Sequence, residues 1–362
     1  MLYLFYGLTI MLTTAVYAAG TYAVSTFAGL AGESGDADGT GPTARFHNPT
    51  SITYGSGHLY VTDSSNKIIR KITSTGVVTT ITEPAKFNHP TGIAYGLEKL
   101  YVADYGNGTV RKITNGNGVS SITKLADFKG KVDSTGYLQL PFCLTYGSGN
   151  LYVASFGNTT IRKVTNVDAV SSIAKSVDTA TSYVGSATTA GMTVDGTGNL
   201  YITDYENNTI IRITSDGEVT TIAGLAGAAG YADGYGTESR FASPYGITVD
   251  GSGNLFVVDQ GNQIIRKLTY NATHDTYKVS TIAGLAGATG HADGSNNHAR
   301  FFNPWGITID DSDNLFVADQ GNQTIRKLTL VPTIVISAVV TPTVQQRLVP
   351  QNEATISMQL IY

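Results

Sequence analysis

Six similar segments recur along the chain, and this internal repeat constrains the fold more than any other feature of the sequence. The first segment, PTSITYGSGHLYVTDSSNKIIRKIT, starts at Pro49, and the last, PWGITIDDSDNLFVADQGNQTIRKLT, starts at Pro304. The four copies between them start at Pro90, Pro141, Thr189 and Pro244. A repeat of this length is one supersecondary unit that buries its apolar face only against its neighbours. The chain is therefore expected to fold as a closed or stacked array of equivalent units.

Each repeat reads as short β-strands separated by tight turns. β-Branched and aromatic residues alternate with polar ones, and clusters of Gly, Asn, Asp and Ser bound each run. Four strands per repeat predict an all-β fold, a six-bladed β-propeller with four-stranded blades. The segment YAVSTFAG at 22–29 matches the fourth-strand segments VTTIAG at 219–224 and VSTIAG at 279–284. It predicts that the N-terminal strand pairs into the last blade and closes the ring, which removes free sheet edges.

The two ends of the chain depart from the repeat. Residues Leu2 to Ala15 are almost continuously apolar, and small residues follow at Val16 and Ala18. This pattern predicts a secretory signal peptide over 1–18, too short to span a bilayer comfortably, with a buried first strand or an uncleaved anchor as the alternatives. We expect a propeller over 21–330 and a tail over 331–362 of unassigned structure. The mature protein is expected to be secreted, periplasmic or at the cell surface, with no membrane span after cleavage.

Charge and cysteine content exclude several classes of function. The net charge of −4 provides no basic surface for nucleic acid. The single cysteine, Cys143, excludes an intrachain disulfide framework and a cysteine-rich zinc site. The partners expected are thus a protein, a carbohydrate or another small molecule, and the sequence leaves the oligomeric state and the organism open.

The fifth and sixth repeats are similar to the NHL repeat family, whose consensus is close to P-x-G-I-x-V-D-x-x-G-N-L-Y-V-A-D-x-x-N-x-x-I-R-K-I. The resemblance covers about 21–330 and includes the linker GLAGAAGYADGYGTESRFASP at 224–244, which resembles linkers of secreted microbial members. It implies a six-bladed β-propeller that serves either as a platform for protein, RNA or ligand, or as the scaffold of an enzyme. Binding of RNA is disfavoured by the negative net charge.

The most regular polar residues are predicted to be structural, because a group needed once per blade is a packing device. An Asp ends the second strand of each repeat except the third, where Ser155 replaces it. An Arg opens the third strand except in the fourth repeat, where Ile211 takes its place. The Arg is expected to pair with a carboxylate at a buried blade junction.

A second Asp–Arg pattern lies in three of the linkers. Asp38, Asp233 and Asp293 each precede an Arg by seven residues, and each of these arginines, Arg45, Arg240 and Arg300, is followed by a Phe. We expect an ion pair that closes the linker over an aromatic plug, with an anion-binding Arg as the alternative.

Function is expected where the repeats differ, on the face formed by the linkers and the turns between second and third strands. The first strand of each blade is expected to line the central channel, so the residue after its first position lies near the channel mouth. Aromatic faces beside amide groups suit flat amphipathic ligands. The candidate ligand-binding residues on these two positions are Phe142, Tyr245, Trp305, Tyr105, Phe156, Tyr205, Gln260 and Gln320.

Metal binding and catalysis form the alternative interpretation. His47 and His89 precede the first strands of neighbouring blades and are candidate ligands for Zn or Ca. The alternative function is a metal-dependent lyase or hydrolase that resembles a peptide-amidating lyase or a lactonase. The lactonase type has a Glu at the start of an inner strand in an E-G-P setting, and no Glu precedes the inner-strand Pro positions of this chain. The leading hypothesis is therefore a non-catalytic binding scaffold without a cofactor.

Overall fold

The computed structural model describes residues 2–82, 87–116, 119–127, 132–133, 136–137, 140–156, 161–164, 170–174 and 189–348. Side-chain environments are described for 20–82, 87–114, 140–155, 161–164 and 189–332. Within these ranges the chain is almost entirely β-strand and turn, with no α-helix. None of the described segments is therefore a helix of the length and apolarity that a membrane crossing requires.

Twenty-nine strands are present in the described part of the chain. The first are β1 (Leu2–Ala28), β2 (Gly39–Thr40), β3 (Pro49–Gly55), β4 (His58–Asp63), β5 (Ile68–Thr73) and β6 (Val77–Thr80). Next are β7 (Pro90–Gly96), β8 (Lys99–Asp104), β9 (Thr109–Gly116), β10 (Val119–Asp127), β11 (Val132–Asp133), β12 (Gly136–Tyr137), β13 (Leu140–Gly147), β14 (Asn150–Phe156), β15 (Ile161–Val164) and β16 (Val170–Ala174). The last are β17 (Thr189–Val194), β18 (Leu200–Asp204), β19 (Thr209–Ile213), β20 (Val219–Ala223), β21 (Gly234–Tyr235), β22 (Pro244–Val249), β23 (Leu255–Asp259), β24 (Ile264–Asn271), β25 (Thr276–Ala283), β26 (Gly294–Ser295), β27 (Pro304–Ile309), β28 (Leu315–Asp319) and β29 (Thr324–Leu348). Short 3-10 turns cover Gly41–Thr43, Tyr105–Asn107, Gly236–Glu238, Gln260–Asn262, Asn296–His298 and Gln320–Asn322.

These strands form six antiparallel blades arranged in a ring, which confirms the predicted six-bladed β-propeller. The innermost strands of blades one to six are β3, β7, β13, β17, β22 and β27. Each inner strand contacts the inner strand of the next blade, and β27 contacts β3. The strands β11 and β12 form a separate two-stranded ribbon.

The N-terminal strand closes the ring, as the sequence predicts. Blade six has the strand order β26-β1-β29-β28-β27, so β1 lies outside the third strand of the last repeat. Tyr22 and Val24 of β1 are buried in its core, and the Tyr22 ring meets that of Phe256 edge-on at 6.3 Å. An additional strand also occurs in blades one, five and six, because the linker strands β2, β21 and β26 pair with the outer strand. The prediction of four strands was therefore incomplete for these three blades.

The propeller unit covers Tyr22–Leu330. A second compact unit consists of Met1–Thr21 and Val331–Tyr362, and it includes the whole of the predicted signal segment and tail. Cleavage of the signal segment remains a prediction, and the tail beyond residue 348 lies outside the described residues.

A buried carboxylate–guanidinium pair joins each of several blades to the linker that precedes it. In blade one, Asp63 and Arg70 are both completely buried and lie 2.9 Å apart. The other carboxylate oxygen of Asp63 accepts the backbone N–H of His47 at 2.7 Å. The second Arg70 amino group binds Asp38 at 2.9 Å, and the guanidinium lies 5.1 Å from the centre of the buried Phe46 ring. We call this set of contacts the Asp–Arg junction.

The Asp–Arg junction recurs in blades five and six with the same geometry. Arg266 binds Asp259 and Asp233, both at 2.8 Å, and lies over Phe241. Blade six repeats it with Arg326, Asp319, Asp293 and Phe301. Blade two retains the Arg111–Asp104 pair over Phe87. Burial raises the pKa of Asp259 and of Asp319 to about 6, while the adjacent guanidinium opposes the rise, so both carboxyls are ionised at neutral pH.

The junction corrects the predicted pairing inside the linkers. Asp38 binds Arg70 of the third strand and does not pair with Arg45. The side chain of Arg45 binds Glu33 and the carbonyl of Pro42 instead. The corresponding Arg240 and Arg300 also donate to linker carbonyls. The aromatic plug is confirmed, because Phe46, Phe241 and Phe301 are fully buried.

Glycines allow the inner strands to approach each other at the channel mouth. A Cβ atom on Gly246 would lie 2.9 Å from the backbone nitrogen of Ile307 and closer still to the carbonyl oxygen of Trp305. On Gly306 it would lie 2.8 Å from the carbonyl oxygen of Thr50, where the last blade meets the first. Blades five, six and one therefore fit together at this level only because these positions have no side chain.

Replacing Asp259 by Ala tests the Asp–Arg junction. The change leaves Arg266 buried without the carboxylate at its inner side, so the free energy of unfolding should fall by about 3–5 kcal/mol. Urea unfolding followed by circular dichroism measures the difference. The exposed turn residue Asp216, replaced by Ala, is the matched control and should change stability by less than about 0.5 kcal/mol. Equal, small effects of both substitutions would contradict a structural role for the junction.

Replacing Gly246 by Ala tests the close approach of blades five and six. The new methyl group has no space, so we expect a loss of about 1–3 kcal/mol in unfolding free energy. Gly251→Ala is the control, because a Cβ atom there would meet nothing within 4 Å. Thermal unfolding should give a lowered midpoint for Gly246→Ala and an unchanged midpoint for Gly251→Ala. If Gly246→Ala unfolds at the same temperature as the unmodified protein, the steric argument is wrong.

Candidate functional site

The six inner strands enclose a channel with a cavity volume of about 240 Å³ that opens to solvent. Its lining contains no Asp, Glu, Lys, Arg or His. The second residue of each inner strand, or the third in β13, lies at one end of it, because all inner strands run in the same direction around the ring. We call these the mouth residues: Thr50, Thr91, Phe142, Ala190, Tyr245 and Trp305, all of which line the channel.

A β-bulge occurs at the mouth residue of every blade. In blade five, Pro244 pairs with Asp259 and the register then shifts before Ile247 pairs with Val257. The same irregularity follows Pro49, Pro90, Pro141, Thr189 and Pro304. A bulge redirects a side chain out of the regular alternation and is frequent beside binding sites. The repeat thus places one redirected side chain per blade at the mouth.

Five of the predicted ligand-binding residues form a continuous chain of ring contacts across the mouth. Its ring-centre distances are 6.1 Å for Tyr105–Phe142, 6.2 Å for Phe142–Trp305, 4.7 Å for Trp305–Tyr245 and 5.5 Å for Tyr245–Tyr205. All five side chains are only partly buried. Phe142 and Trp305 belong to blades three and six, which are opposite in the ring, so their contact crosses the channel. We call these five residues the aromatic arc.

The backbone beneath the aromatic arc is held by hydroxyl groups of the preceding blades. The Thr91 hydroxyl donates to the carbonyl oxygen of Phe142 at 2.8 Å, and the Thr203 hydroxyl donates to that of Tyr245. The same Thr203 oxygen accepts the N–H of Gly191 at 2.8 Å. These bonds hold the mouth residues of blades three and five in register with their neighbours.

The aromatic arc presents neutral hydrogen-bonding groups. Burial, followed by the hydrogen bond to Glu206, raises the pKa of Tyr205 to about 12. Burial also raises the pKa of Tyr245. Both phenols are therefore uncharged at physiological pH. The indole N–H of Trp305 is covered by surrounding atoms and has no acceptor in the described part of the chain. An unsatisfied buried donor of this kind costs about 1–3 kcal/mol.

The two predicted glutamines bind a linker amide. Gln260 donates its side-chain amide to the Asn303 side-chain oxygen, and Asn303 donates to the Gln320 side-chain oxygen at 2.6 Å. Both side chains thus fix the linker between blades five and six beside the arc. The backbone of Phe156 ends β14, whereas its side chain lies outside the described residues.

The histidines proposed as metal ligands are both exposed. The ring of His89 meets Tyr105 edge-on at 6.1 Å, at one end of the aromatic arc. His47 contributes its backbone N–H to the Asp–Arg junction of blade one. In the described ranges, no group of three or more His, Cys, Asp and Glu side chains is arranged to hold a metal ion. Metal binding by His47 and His89 stays a prediction.

One exposed aromatic residue in the linker before blade six was not among the predicted site residues. The Phe302 side chain is 47% exposed, and a Cβ atom on Gly321 of the blade-six turn would lie 2.6 Å from its ring. The sequence could have indicated Phe302 through its position in the linker. Phe302 lies two residues before the inner-strand Pro304, as His47 lies two residues before Pro49.

Comparison with known proteins gives one family and several relatives. Residues 301–328 match the NHL repeat. A curated relative, the chloroplastic protein SUPPRESSOR OF QUENCHING 1 of Arabidopsis thaliana, is 35% identical over 98 residues. That match spans 27% of this chain and only 9% of the length of the relative.

Solved structures resemble the chain over most of its length. An auxiliary nutrient binding protein from Bacteroides thetaiotaomicron has a TM-score of 0.68 at 19% identity, with 86% of this chain and 76% of the other covered. Virginiamycin B lyase from Staphylococcus aureus has a TM-score of 0.51 at 19% identity, with coverages of 77% and 80%. A gluconolactonase from Xanthomonas campestris has a TM-score of 0.55 at 10% identity, with coverages of 88% and 100%. At these identities the likeness concerns the fold alone: the chain is a six-bladed β-propeller, and its residues 301–328 match the NHL repeat.

Proposed function

We propose that this protein is a non-catalytic binding scaffold that recognises a ligand at the aromatic arc. One observation carries the proposal: five partly exposed aromatic side chains from five blades meet across the mouth of an uncharged channel. Large aromatic side chains with polar tips provide contact area and hydrogen bonds at little cost in conformational entropy. Such a cluster on a rigid scaffold is the usual composition of a ligand site.

The backbone supports this role because the arc is pre-organised. Its mouth residues are held by hydroxyl–carbonyl bonds and by the close approach at Gly246. The protein therefore loses little conformational entropy when a ligand binds. Variation among the blades at these positions, from Thr50 to Trp305, gives the ring the asymmetry that recognition of one ligand requires.

A location outside the cytoplasm belongs to the same proposal. The apolar segment before residue 19 has the composition of a secretory signal. Two structural relatives are described as auxiliary nutrient binding proteins of Bacteroides species. Binding of a ligand outside the cell is consistent with both, and the ligand is a protein segment, a carbohydrate or another small molecule.

The competing function is a metal-dependent lyase or hydrolase, since virginiamycin B lyase and gluconolactonase share the fold. No observation in the described residues favours it over binding. It requires a metal held by residues such as His47 and His89, whereas the arc requires none. Stoichiometric zinc or calcium that is retained on dialysis and lost in a His47→Ala/His89→Ala variant would support the competing function.

Replacing Tyr245 by Ala tests the binding scaffold. The protein is screened against a library of metabolites, oligosaccharides and short peptides by the fluorescence of Trp305, the single tryptophan of the chain. For a compound that binds, calorimetry with Tyr245→Ala should show at least a tenfold loss of affinity, about 1.4 kcal/mol, because the ring that joins Trp305 to Tyr205 in the arc is gone. Tyr270→Ala, at an exposed tyrosine on the outer hairpin of blade five, is the matched control and should bind unchanged. Unchanged affinity in Tyr245→Ala would place binding elsewhere.

A further inference from the structure

We propose that the ligand recognised at the aromatic arc is an uncharged saccharide; the inference rests on the proposed binding function and specifies its ligand class. Three observations carry it: the absence of charge at the mouth, the arrangement of the rings, and the neutral hydrogen-bonding groups beside them.

Charge is absent from the mouth residues and from the turn positions beside them. The six mouth residues include no ionisable acid or base other than tyrosine. The turn positions beside them are Ser64, Tyr105, Phe156, Tyr205, Gln260 and Gln320, which also carry no charge. A charged ligand group brought here would lose water without gaining an opposite charge, and this desolvation is costly. The carboxylate of Glu206 accepts from the Tyr205 hydroxyl, and together with the net charge of −4 it opposes an acidic ligand in particular.

The rings offer an outer surface for stacking, with no gap to thread. Phe142 and Trp305 are in contact across the channel at 6.2 Å between ring centres, a separation at which two rings touch. A ligand ring therefore lies on the arc from the solvent side and does not pass between these two side chains. The pyranose ring of a sugar has an apolar face of C–H groups that covers such a surface, while its hydroxyls point outward from its edge.

Polar groups at the mouth match the hydroxyl edge of a sugar. Two of the six mouth residues, Thr50 and Thr91, carry hydroxyls, and Thr145, Thr193, Thr248 and Thr308 line the channel three residues further along their strands. The Thr91 hydroxyl donates its proton to the carbonyl of Phe142, so it keeps lone pairs that accept from a ligand. The Trp305 N–H is covered by surrounding atoms and lacks an acceptor among the described residues, so the proposal requires the indole to turn when a sugar oxygen accepts from it. Purely apolar ligands use none of these groups.

The test compares neutral and acidic oligosaccharides on the full chain. Cellotriose, xylotriose, mannotriose and maltotriose are titrated against trigalacturonic acid while the emission of Trp305 is recorded. We expect at least one neutral trisaccharide to change the emission saturably and to bind at least tenfold more tightly than the acidic one. The variant Trp305→Phe keeps a ring but removes the N–H, and calorimetry should show at least a fivefold loss of affinity for that trisaccharide. Tyr270→Phe is the control that should leave the affinity unchanged.

The outcomes separate this inference from the function on which it rests. Failure of all neutral trisaccharides, or equal binding of the acidic one, overturns the saccharide inference. If a non-saccharide compound then binds with an affinity that depends on Tyr245, the binding scaffold stands without the saccharide. If a saccharide binds Tyr245→Ala and Trp305→Phe as tightly as the unmodified protein, the ligand occupies another surface. That result contradicts both the saccharide inference and the proposed binding function of the arc. Correct folding of each variant is verified by its thermal unfolding midpoint.

Discussion

The buried Asp–Arg junction is the contact on which the placement of the functional face depends. One oxygen of its inner carboxylate binds the Arg of the third strand, and the other accepts a backbone N–H two residues before the inner strand begins. In blade five, this donor is Ala242, which lies directly ahead of Ser243 and Pro244. In blade six it is Phe302, ahead of Asn303 and Pro304. The junction thereby sets where the inner strand starts and, one residue later, where Tyr245 and Trp305 project.

The cost of burying these charges explains why the junction involves so many partners. Asp259 accepts from Arg266, Asn262 and Ala242, and the guanidinium of Arg266 also binds Asp233 and the carbonyl of Arg240. A buried ion pair stabilises a fold when its remaining polar atoms are largely satisfied, and within the junction of blade five only Nε of Arg266 lacks a partner among the described residues. The linker supplies most of these additional acceptors, so the linker must take the same path in each blade that retains the pair. Blades three and four carry Ser155 and Ile211 at the two positions and therefore differ from this arrangement.

The fold could be predicted from the sequence because the same strand pattern occurs in every repeat. Six copies of one strand pattern specify one unit and its neighbours, and the segment at 22–29 specifies how the ring closes. The placement of the mouth residues followed from the same logic. Contacts that depend on chain folding between repeats were not predictable. We predicted an ion pair between Asp38 and Arg45 because the two residues are close in sequence. The path of the linker over blade one instead brings Asp38 to Arg70.

In the candidate site, too, the sequence predicted the positions of residues but not the contacts between them. Its aromatic positions could be read from the differences between repeats, since the turn and mouth positions are defined by the Asp and Pro columns. The ring-to-ring contacts required three-dimensional geometry, because Phe142 and Trp305 are 163 residues apart (305 − 142) and meet only across the closed ring. The roles of Gln260 and Gln320 also depended on Asn303, whose side chain lies between them. Sequence alone gives no reason to assign the two amides to the linker.

The central claim is that ligand binding occurs at the aromatic arc, and the single tryptophan allows a direct measurement. Because Trp305 is the one tryptophan of the chain, incorporation of 5-fluorotryptophan gives one fluorine resonance for the whole protein. Addition of a ligand that calorimetry shows to bind should move this resonance with a titration curve that matches the calorimetric Kd. A resonance that stays unmoved at full saturation of the protein would contradict the account and assign the binding site to another part of the propeller.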